Sequence, residues 1–577
     1  MSTKKNVESI YPLSPQQKGM LLESLSAPFP GLHLERLACV IQGELDLAAF
    51  ERAWERVIAR HSILRAAFAW KGQEEPVQVV LERVRLPLTV EDLRGRTSEE
   101  REATLAAWLH DDLEKGFDMS RAPLLRLALF RTAEREHRLV WTHHHILMDG
   151  WCRPLVAAEF FALYQALRHG EDPVQPPSRP YRDYVAWLRG KEAEKPRAES
   201  FWRETLSGLA GPTPLGELVG PPPRGTVPQH GVRTVRLPEA ETSRLRDFAR
   251  ARRLTLNTVV QGAWALLLAR YSGRRDVVFG TTVSGRPAEL EEVETMIGLF
   301  INTLPFRVAV PDDEPVWSWL EGLQAQHLAA RAWEHCSAGE IHQWSGLPAS
   351  VPLYDSLLVF ENYPTQPAQS TQPGGGGSAG KPGEPGDIGI AFGGQGSASA
   401  ITRHPLTLIA EEAAEVTVNL IYDGLRLDGD DVSRIAAHLG TVLRRLAAEP
   451  EPALAELLES IPAGERPRLF ALGAAVERPF VAPRTATEVA LAAIWAEVLG
   501  LPRISVHDSF LELGGHSLLA TRILGRVNEA FGIKLPLLRL YEAPTLGDLA
   551  TTVAQTLAEK ADAELLARLL QEVETSS

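Results

Sequence analysis

The pattern of predicted secondary structure changes near residue 484, and this change constrains the fold more than any other feature of the sequence. Before that point, runs with the helical spacing of apolar residues alternate with short strand-like runs; beyond it, only helical patterns occur. Alternating helices and strands predict an α/β sandwich, whereas about 75 residues with four short helices predict a separate all-α bundle. The 577 residues are enough for two to four domains.

Local signals support the α/β assignment of the long first part. Asp46 can cap a helix whose apolar face carries Leu47, Phe50, Trp54, Val57 and Ile58. Thr97 and Glu100 predict a capping box before a second helix. Strand-like runs lie in the same part of the chain as these helices, at 64–70, 75–84, 124–132 and 138–145. A second block of alternating helices and strands contains another strand-like run, at 276–283. Two similar α/β units are therefore expected.

Composition excludes several classes of protein. The net charge of −14 argues against nucleic acid as a partner, and no apolar run approaches the 18 residues expected of a membrane span. The N-terminus has no apolar run behind its lysines, so it does not predict a secretory signal. Cys39, Cys152 and Cys336 fit neither a disulfide framework nor a zinc site, and they favour a reducing cytoplasm.

The most conspicuous chemical constellation is WTHHHILMDGW, residues 141–151. Side chains alternate between the two faces of a strand, so His143 and His145 are expected on one face and His144 on the other. At most one of His144 and His145 can therefore point into a given cavity.

His145 ends the predicted strand, beside a turn that Asp149 and Gly150 would support. A histidine at a strand end that faces a cleft is well placed to act as a general base near neutral pH. Two alternatives remain open on the residues alone: a buried histidine cluster satisfied by backbone carbonyls, and a metal site formed by His143, His145 and Asp149.

The second constellation is DSFLELGGHSLLA, residues 508–520, in which Ser517 opens a predicted helix. On its own this serine is explained as a helix N-cap. A hydroxyl at a helix N-terminus also suits a phosphodiester, because the unpaired N–H groups and the helix dipole favour negative charge. The bundle offers no base, metal cluster or cleft in its sequence, so we expect Ser517 to be modified rather than catalytic.

These residues match known families. The run GGHSL resembles the phosphopantetheine attachment site of peptidyl carrier proteins in nonribosomal peptide synthetases, and the similarity extends over about residues 483–557. The resemblance implies that Ser517 carries 4′-phosphopantetheine, which a separate phosphopantetheinyl transferase attaches.

The run from His144 to Gly150 resembles the HHxxxDG motif of nonribosomal condensation domains. Six further stretches resemble other motifs of that family in the right order, namely 12–21, 60–68, 181–187, 280–287, 297–307 and 357–364. The resemblance covers about residues 10–460. It implies two chloramphenicol-acetyltransferase-like lobes arranged in a V, with a tunnel that two carrier arms enter from opposite faces.

The same resemblance assigns roles to residues. The second histidine, His145, is the important one, and Gly150 keeps the passage beside it open. Asp149 is structural in the family and pairs with an arginine, for which Arg286 is our candidate; a surface loop arginine is the alternative.

The two resemblances divide the chain into regions. Residues 1–180 and 181–461 form the N-lobe and C-lobe of a condensation domain, with a flexible loop at 365–400, where 11 of the chain's 45 glycines fall. Residues 462–484 form a linker, 485–557 the carrier domain and 558–577 a tail. The apolar stripe of that tail predicts either a docking segment for a downstream synthetase subunit or a terminal helix that packs on the carrier; it comprises Leu565, Leu566, Leu569, Leu570 and Val573.

The implied function is peptide-bond formation between a thioester on an upstream donor carrier and the amine of a carrier-bound acceptor. No adenylation domain separates the two regions, so the carrier is loaded by a trans-acting adenylation enzyme, unless the chain is a shortened one. The initial Met and the polar C-terminal end favour a natural chain. The alternatives are an acyltransferase that uses a soluble amine or alcohol, and an inactive platform that recruits enzymes.

Overall fold

The structure is a computed structural model, and its description is confined to part of the chain. The described residues are 6–26, 31–70, 73, 75–219, 230–348, 351–361, 389–391, 404–448, 452–462, 464–470, 480–510, 513, 517–536, 539–543 and 545–575. The strands are β1 (Val7–Pro12), β2 (Leu34–Gln42), β3 (Ala66–Ala69), β4 (Val77–Leu81), β5 (Leu88–Asp92), β6 (Leu125–Ala133), β7 (Glu136–His144), β8 (Glu217–Val219), β9 (His230–Leu237), β10 (Asp276–Val283), β11 (Asn302–Ala309), β12 (Ser356–Glu361), β13 (Gly389–Ala391), β14 (Leu406–Glu412), β15 (Val416–Asp423) and β16 (Arg468–Phe470).

The helices complete the element order. They are α1 (Pro15–Ser26), α2 (Leu47–Arg60), α3 (Ser98–Lys115), α4 (Cys152–Arg168), α5 (Tyr181–Gly190), α6 (Lys195–Thr205), α7 (Glu239–Ala251), α8 (Leu256–Ser272), α9 (Val316–Arg331), α10 (Ala338–Ser345), α11 (Gly429–Leu446), α12 (Leu454–Glu459), α13 (Ala486–Leu499), α14 (Ser517–Phe531), α15 (Arg539–Glu542) and α16 (Leu546–Thr575).

The N-lobe is built around a five-stranded sheet with the order β13-β2-β7-β6-β5. Helices α2 and α4 pack together in its hydrophobic core. Asp46 caps α2 by accepting from the Ala49 N–H, as predicted, and Trp54 of the buried face lies edge-on to Trp141 of β7 with ring centroids 5.0 Å apart. The amphipathic pattern of α2 therefore anchors the strand that carries the histidines.

The C-lobe is built around a six-stranded sheet with the order β11-β10-β12-β14-β15-β9. The β10–β12 and β12–β14 pairs are parallel, and the other three pairs are antiparallel. Helix α8 is buried along nearly its whole length and packs against α9 and α11. A helix that is apolar all round belongs in such an interior position.

One strand links the two lobes. Within the loop predicted at 365–400, residues 389–391 form β13, which pairs antiparallel with β2 at the edge of the N-lobe sheet. The expectation of a loop without regular structure was wrong for these three residues, because the open edge of β2 offers backbone groups to pair with. The remainder of 365–400 lies outside the described residues.

The predicted linker 462–484 also contains regular structure. Residues 468–470 form β16, which pairs in parallel with β8, and the Arg468 N–H and guanidinium both donate to the buried carboxylate of Asp431 on α11. At the other end of the linker, the Val506 N–H donates to Val481 O. The linker is thus attached at one end to the C-lobe and at the other to the helical region, with 471–479 outside the described residues.

The C-terminal region is helical. Thr485 and Glu488 form a capping box at the start of α13, and Thr545 with Asp548 does the same for α16. Helix α15 contacts α1 of the N-lobe. Helix α16 continues without a break to Thr575, so the predicted tail begins inside it, and the side chains of its apolar stripe lie outside the described residues.

The fold class predicted from the sequence is confirmed: two α/β lobes are followed by helices. Among the described helices, none combines the length and apolar character needed to cross a bilayer.

Candidate active site

Strand β7 and the turn that follows it bring three consecutive histidines to one end of the N-lobe sheet. The strand ends at His144, one residue earlier than predicted, and His145 begins a 3₁₀ turn, His145–Leu147. That turn is held by two backbone hydrogen bonds, from the His145 N–H to His33 O (2.8 Å) and from the Met148 N–H to His145 O (3.2 Å). The predicted division between the faces is confirmed, since His143 and His145 both approach Glu35 whereas His144 meets Ser24.

Both ring nitrogens of His144 are engaged. Its Nδ1 accepts from the Ile146 N–H at 3.1 Å, so the ring proton is on Nε2, which lies 3.0 Å from Ser24 Oγ. Ser24 Oγ in turn donates to Met20 O at 2.7 Å. Burial, with further contributions from His33 and His145, lowers the pKa of His144 well below its usual value. His144 is therefore a neutral, fully hydrogen-bonded residue of the wall.

His145 is arranged differently. Its Nδ1 lies 3.0 Å from Met148 O and 3.2 Å from Glu35 Oε1. Both oxygens only accept, so Nδ1 carries the proton and Nε2 of the neutral ring has a lone pair. The side chain is 19 % exposed, against 1 % for His143. Of the three histidines, His145 thus presents an unprotonated nitrogen from a partly accessible position.

Glu35 was not singled out from the sequence. It lies on β2 directly opposite His143 in the antiparallel ladder, and its Oε2 is 3.2 Å from His143 Nε2. Burial lowers the pKa of His143, and the nearby Glu35 carboxylate offsets only part of that effect. Only the register of β2 against β7 brings Glu35 to the histidines, and a single sequence carries no local signal for that register.

Asp149 joins the two lobes. Its Oδ1 lies 3.2 Å from Arg286 Nη2, and both side chains are 3 % exposed. Its Oδ2 accepts from the backbone N–H groups of Phe300 (3.0 Å) and Ile301 (3.3 Å). Burial would lower the pKa of Arg286, but Asp149 and the Cys152 thiol, 3.1 Å from Nη2, raise it. The two side chains, predicted to pair, therefore form a buried ion pair in which the charge of each is balanced by the other.

The metal alternative is not supported by this geometry. Asp149, its proposed third ligand, points to Arg286 and the C-lobe backbone and not to His143 and His145. Within the described ranges, no group of three or more histidine, cysteine or acidic side chains is arranged to hold a metal ion.

Gly150 is buried in the turn that leads into α4, and its carbonyl accepts from the Arg153 N–H at 3.3 Å.

Three of the stretches identified in the sequence converge behind the histidines. Tyr181 Oη donates to Leu299 O at 2.5 Å and lies 3.1 Å from Ser14 Oγ. Gln17 Nε2 donates to Ile146 O at 3.3 Å, inside the histidine segment. A Cβ atom at Gly298 would lie 2.1 Å from the Tyr181 ring, so only glycine allows this approach. These stretches therefore hold the segment from His145 to Asp149 in position.

Ser517 is the first residue of α14, a helix of 15 residues. Leu519, Ala520 and Ile523 of the same helix are buried in the core of the bundle. A serine hydroxyl at the start of a helix fits a phosphodiester, since the first N–H groups of the helix have no partner within it. The side chain of Ser517 itself lies outside the described residues.

Comparison with protein families identifies the class. The condensation-domain model matches residues 7–466, and the phosphopantetheine attachment site model matches residues 489–553. The chain belongs to the condensation-domain family and carries a phosphopantetheine attachment domain after it.

The similar curated proteins are large synthetases. One of the linear gramicidin synthase proteins of Brevibacillus parabrevis is 38 % identical over 454 residues, which are 78 % of this chain and 6 % of that protein. Bacitracin synthase 3 of Bacillus licheniformis is 31 % identical over 451 residues, 78 % of this chain and 7 % of the relative. The chain thus spans a small part of the length of these relatives.

Solved structures share the two-lobed fold. The first condensation domain of the calcium-dependent antibiotic synthetase, in complex with a substrate analogue, matches with a TM-score of 0.63 at 20 % identity and covers 78 % of this chain and 99 % of that one. The X-domain from teicoplanin biosynthesis matches with a TM-score of 0.61 at 25 % identity, over 79 % of this chain and 98 % of the other. The chloramphenicol-acetyltransferase-like architecture expected from the motifs is confirmed.

Proposed function

We propose that this chain forms a peptide bond in nonribosomal peptide biosynthesis, with His145 as the residue that handles the amine proton. The donor is an acyl or peptidyl thioester on an upstream carrier, and the acceptor is an amine held on a carrier through phosphopantetheine. The observation that carries the proposal is the contrast between the neighbouring histidines: both nitrogens of His144 are engaged, whereas His145 uses only Nδ1.

The reaction requires one proton transfer and no redox partner. The acceptor nitrogen attacks the thioester carbonyl carbon, so a C–N bond forms, the C–S bond breaks and the donor thiolate leaves. His145 Nε2 takes the proton that the amine loses and returns it to the departing sulfur. While the carbonyl oxygen is negative, the protonated ring is a nearby cation that stabilises it. Holding both reactants beside this histidine supplies much of the rate enhancement.

We propose Ser517 as the attachment point of the cofactor. When bound there, phosphopantetheine supplies a long arm that ends in a thiol, on which an acyl or aminoacyl group is held as a thioester. The start of α14 favours the phosphodiester through its N–H groups and dipole. Helix α15 of the carrier region contacts α1, and the last turn of α1 holds Ser24 against His144. The carrier region therefore lies close to the histidine segment, which supports condensation with an acceptor carried on the same chain.

The partners follow from the spacing of the two domains. Only 22 residues, 467–488, separate the two family matches, too few for an adenylation domain between them. We therefore propose loading by a separate adenylation enzyme, modification by a phosphopantetheinyl transferase, and an upstream donor carrier. A downstream subunit that binds the last part of α16 is a further proposed partner. The proposed setting is the cytoplasm, in keeping with the free thiols of Cys39, Cys152 and Cys336.

A recruitment platform is the second candidate. One solved complex with this fold contains the X-domain and OxyB from teicoplanin biosynthesis, so a related domain binds another protein. The buried Asp149–Arg286 pair would serve a platform equally well. The orientation of His145 favours catalysis, because a platform has no need of an accessible, unprotonated ring nitrogen.

The test is a reconstituted condensation reaction. The chain is loaded on its own carrier with an amino acid from aminoacyl-coenzyme A by a promiscuous phosphopantetheinyl transferase and mixed with a donor carrier that bears a second aminoacyl thioester. Dipeptide on this chain's carrier, measured by mass spectrometry after thioester cleavage, is the expected result. His145→Ala should reduce it by roughly 10²–10⁴-fold.

His137→Ala is the matched control, because His137 is buried on the same strand at its other end. It should form dipeptide at the wild-type rate. Transfer to a soluble amine but not to the carrier-bound one would support the free-standing acyltransferase. Failure of the wild-type chain with every acceptor, or an active His145→Ala variant, would contradict the proposed role of His145.

A further inference from the structure

Glu35 bridges two of the three histidines. It lies on β2, its carboxylate is 12 % exposed, and its two oxygens diverge: Oε1 is 3.2 Å from His145 Nδ1 and Oε2 is 3.2 Å from His143 Nε2. The antiparallel register opposes Glu35 to His143, and the 3₁₀ turn then brings the His145 ring to the same carboxylate. No described carboxylate other than Glu35 lies within ion-pair distance of His145.

We infer that Glu35 is a positioning residue for His145, which holds the Nδ1 proton and stabilises the positive ring while Nε2 carries the proton of the amine. The inference rests on the proposed function. Met148 O, 3.0 Å from Nδ1, shares the orienting part of this role but carries no charge. Stabilisation of the positive charge on the His145 ring is therefore assigned to Glu35.

The surroundings keep Glu35 ionised. Burial would raise its pKa, but the neighbouring His145 and His143 rings and the charge of Arg153 together lower it below the usual range. A buried carboxylate is costly unless it is paired in this way. Glu35 is therefore present as an anion at neutral pH.

Further charged groups face this cluster from the neighbouring elements. Arg153 projects from α4 and lies 3.9 Å from Glu361 on β12, so its charge is shared between two carboxylates. On the other side of the segment, His33 is paired with Glu23 of α1 at 2.9 Å. Glu35→Gln leaves each of these groups unchanged, so any altered pH dependence of the rate in that variant reports on the Glu35 charge.

A purely structural role makes a different prediction. If Glu35 only satisfied the buried His143 ring, its loss would lower stability and rate together without moving the acid limb of the pH–rate profile. A carboxylate next to an imidazole favours the protonated form of the ring, and Glu35→Gln removes the charge of that carboxylate. Because the base form is required, the acid limb of the condensation rate profile then moves to lower pH.

The experiment measures the pH–rate profile of condensation with both carriers loaded. Glu35→Gln should lower the plateau rate about tenfold and move the acid limb to lower pH by roughly one pH unit. Glu159→Gln is the matched control, since Glu159 forms a similarly buried pair with His61 at 2.8 Å on the same lobe. Its rate and its acid limb should equal those of the wild-type chain.

Glu35→Asp keeps the negative charge but moves it away from His145 Nδ1. If Glu35→Gln does not fold, Glu35→Asp alone tests whether Glu35 positions His145. A slower plateau with the acid limb at the wild-type position is expected, and a wild-type plateau would overturn the inference. An unmoved acid limb in folded Glu35→Gln would also overturn it, whatever the rate. His145→Ala, measured in parallel, separates the two proposals: an active His145→Ala contradicts the proposed function, whereas an inactive one with unaltered Glu35 variants contradicts only the role of Glu35.

Discussion

Asp149 and Arg286 belong to different lobes, and their side chains form an ion pair at 3.2 Å that is almost completely shielded from solvent. Removing either partner leaves the other charge buried alone, so Asp149→Ala and Arg286→Ala should each lower the free energy of unfolding by about 3–5 kcal/mol. The double variant should lose less than the sum of the two. Urea unfolding followed by tryptophan fluorescence measures this cycle.

Asp247→Ala is the control for that cycle, because the Asp247–Arg250 pair is largely exposed. It should change the free energy of unfolding by about 1 kcal/mol or less. Additive effects of the two buried substitutions would show that Asp149 and Arg286 do not act as a pair.

Gly285 precedes Arg286 and holds a left-handed conformation, with φ +62°. A Cβ atom there would lie 1.8 Å from Phe300 O, against backbone that cannot move away cheaply. Gly285→Ala should therefore lower the free energy of unfolding by more than about 1 kcal/mol and slow condensation by displacing Arg286. Gly322 lies in the middle of α9, where an added Cβ atom would meet no other atom within 4 Å. Gly322→Ala should therefore leave the free energy of unfolding unchanged or raise it by up to about 1 kcal/mol. Equal melting temperatures for the two variants would contradict this account.

The buried His144 predicts a pH dependence of stability. Its pKa in the folded state is lowered, so the unfolded chain binds a proton that the folded ring rejects. The resulting stability is fully present above the unfolded pKa of about 6.5 and is lost as the pH falls below it. His144→Gln removes up to one such proton, so the slope of unfolding free energy between pH 6 and pH 5 should fall by at most about 1.4 kcal/mol per pH unit. An identical slope in wild type and variant would show that His144 does not contribute.

Ser517→Ala should abolish attachment of the phosphopantetheine arm. Intact mass spectrometry after treatment with coenzyme A and a phosphopantetheinyl transferase should show one added arm on the wild-type chain and none on this variant. Ser509→Ala is the control, since Ser509 lies in the same domain, in a backbone bridge with Thr545. It should be modified as fully as the wild type. An arm retained in Ser517→Ala would move the attachment point elsewhere.

Local chemistry made part of the fold predictable. The predicted caps of α2 and α3 depend on side chains within three residues of the backbone they bind. The separation of His144 from His143 follows from strand pleating, whereas the 3₁₀ turn brings His145 to the side of His143. Arg286 was reached only through a family resemblance, since 137 positions separate it from Asp149.

Glu35 and β13 were not predictable from the sequence. Glu35 reaches His145 through the register of two strands about a hundred positions apart, and β13 joins a sheet whose other strands all precede it by more than two hundred residues. Such pairings depend on the global arrangement of the chain, whereas composition around β13 indicated only a loop.

The pairing of β16 with β8 fixes one end of the segment that connects the carrier domain to the C-lobe. Because Phe470 is fixed to the C-lobe and Phe480 opens the part attached to the carrier, the intervening chain spans at most roughly 35 Å, whatever its course. A tether this short corresponds to an effective concentration on the order of millimolar. Under the proposed function, a free carrier protein would need to approach that concentration to compete with the carrier of this chain, so the three-residue strand would favour an acceptor on the same chain.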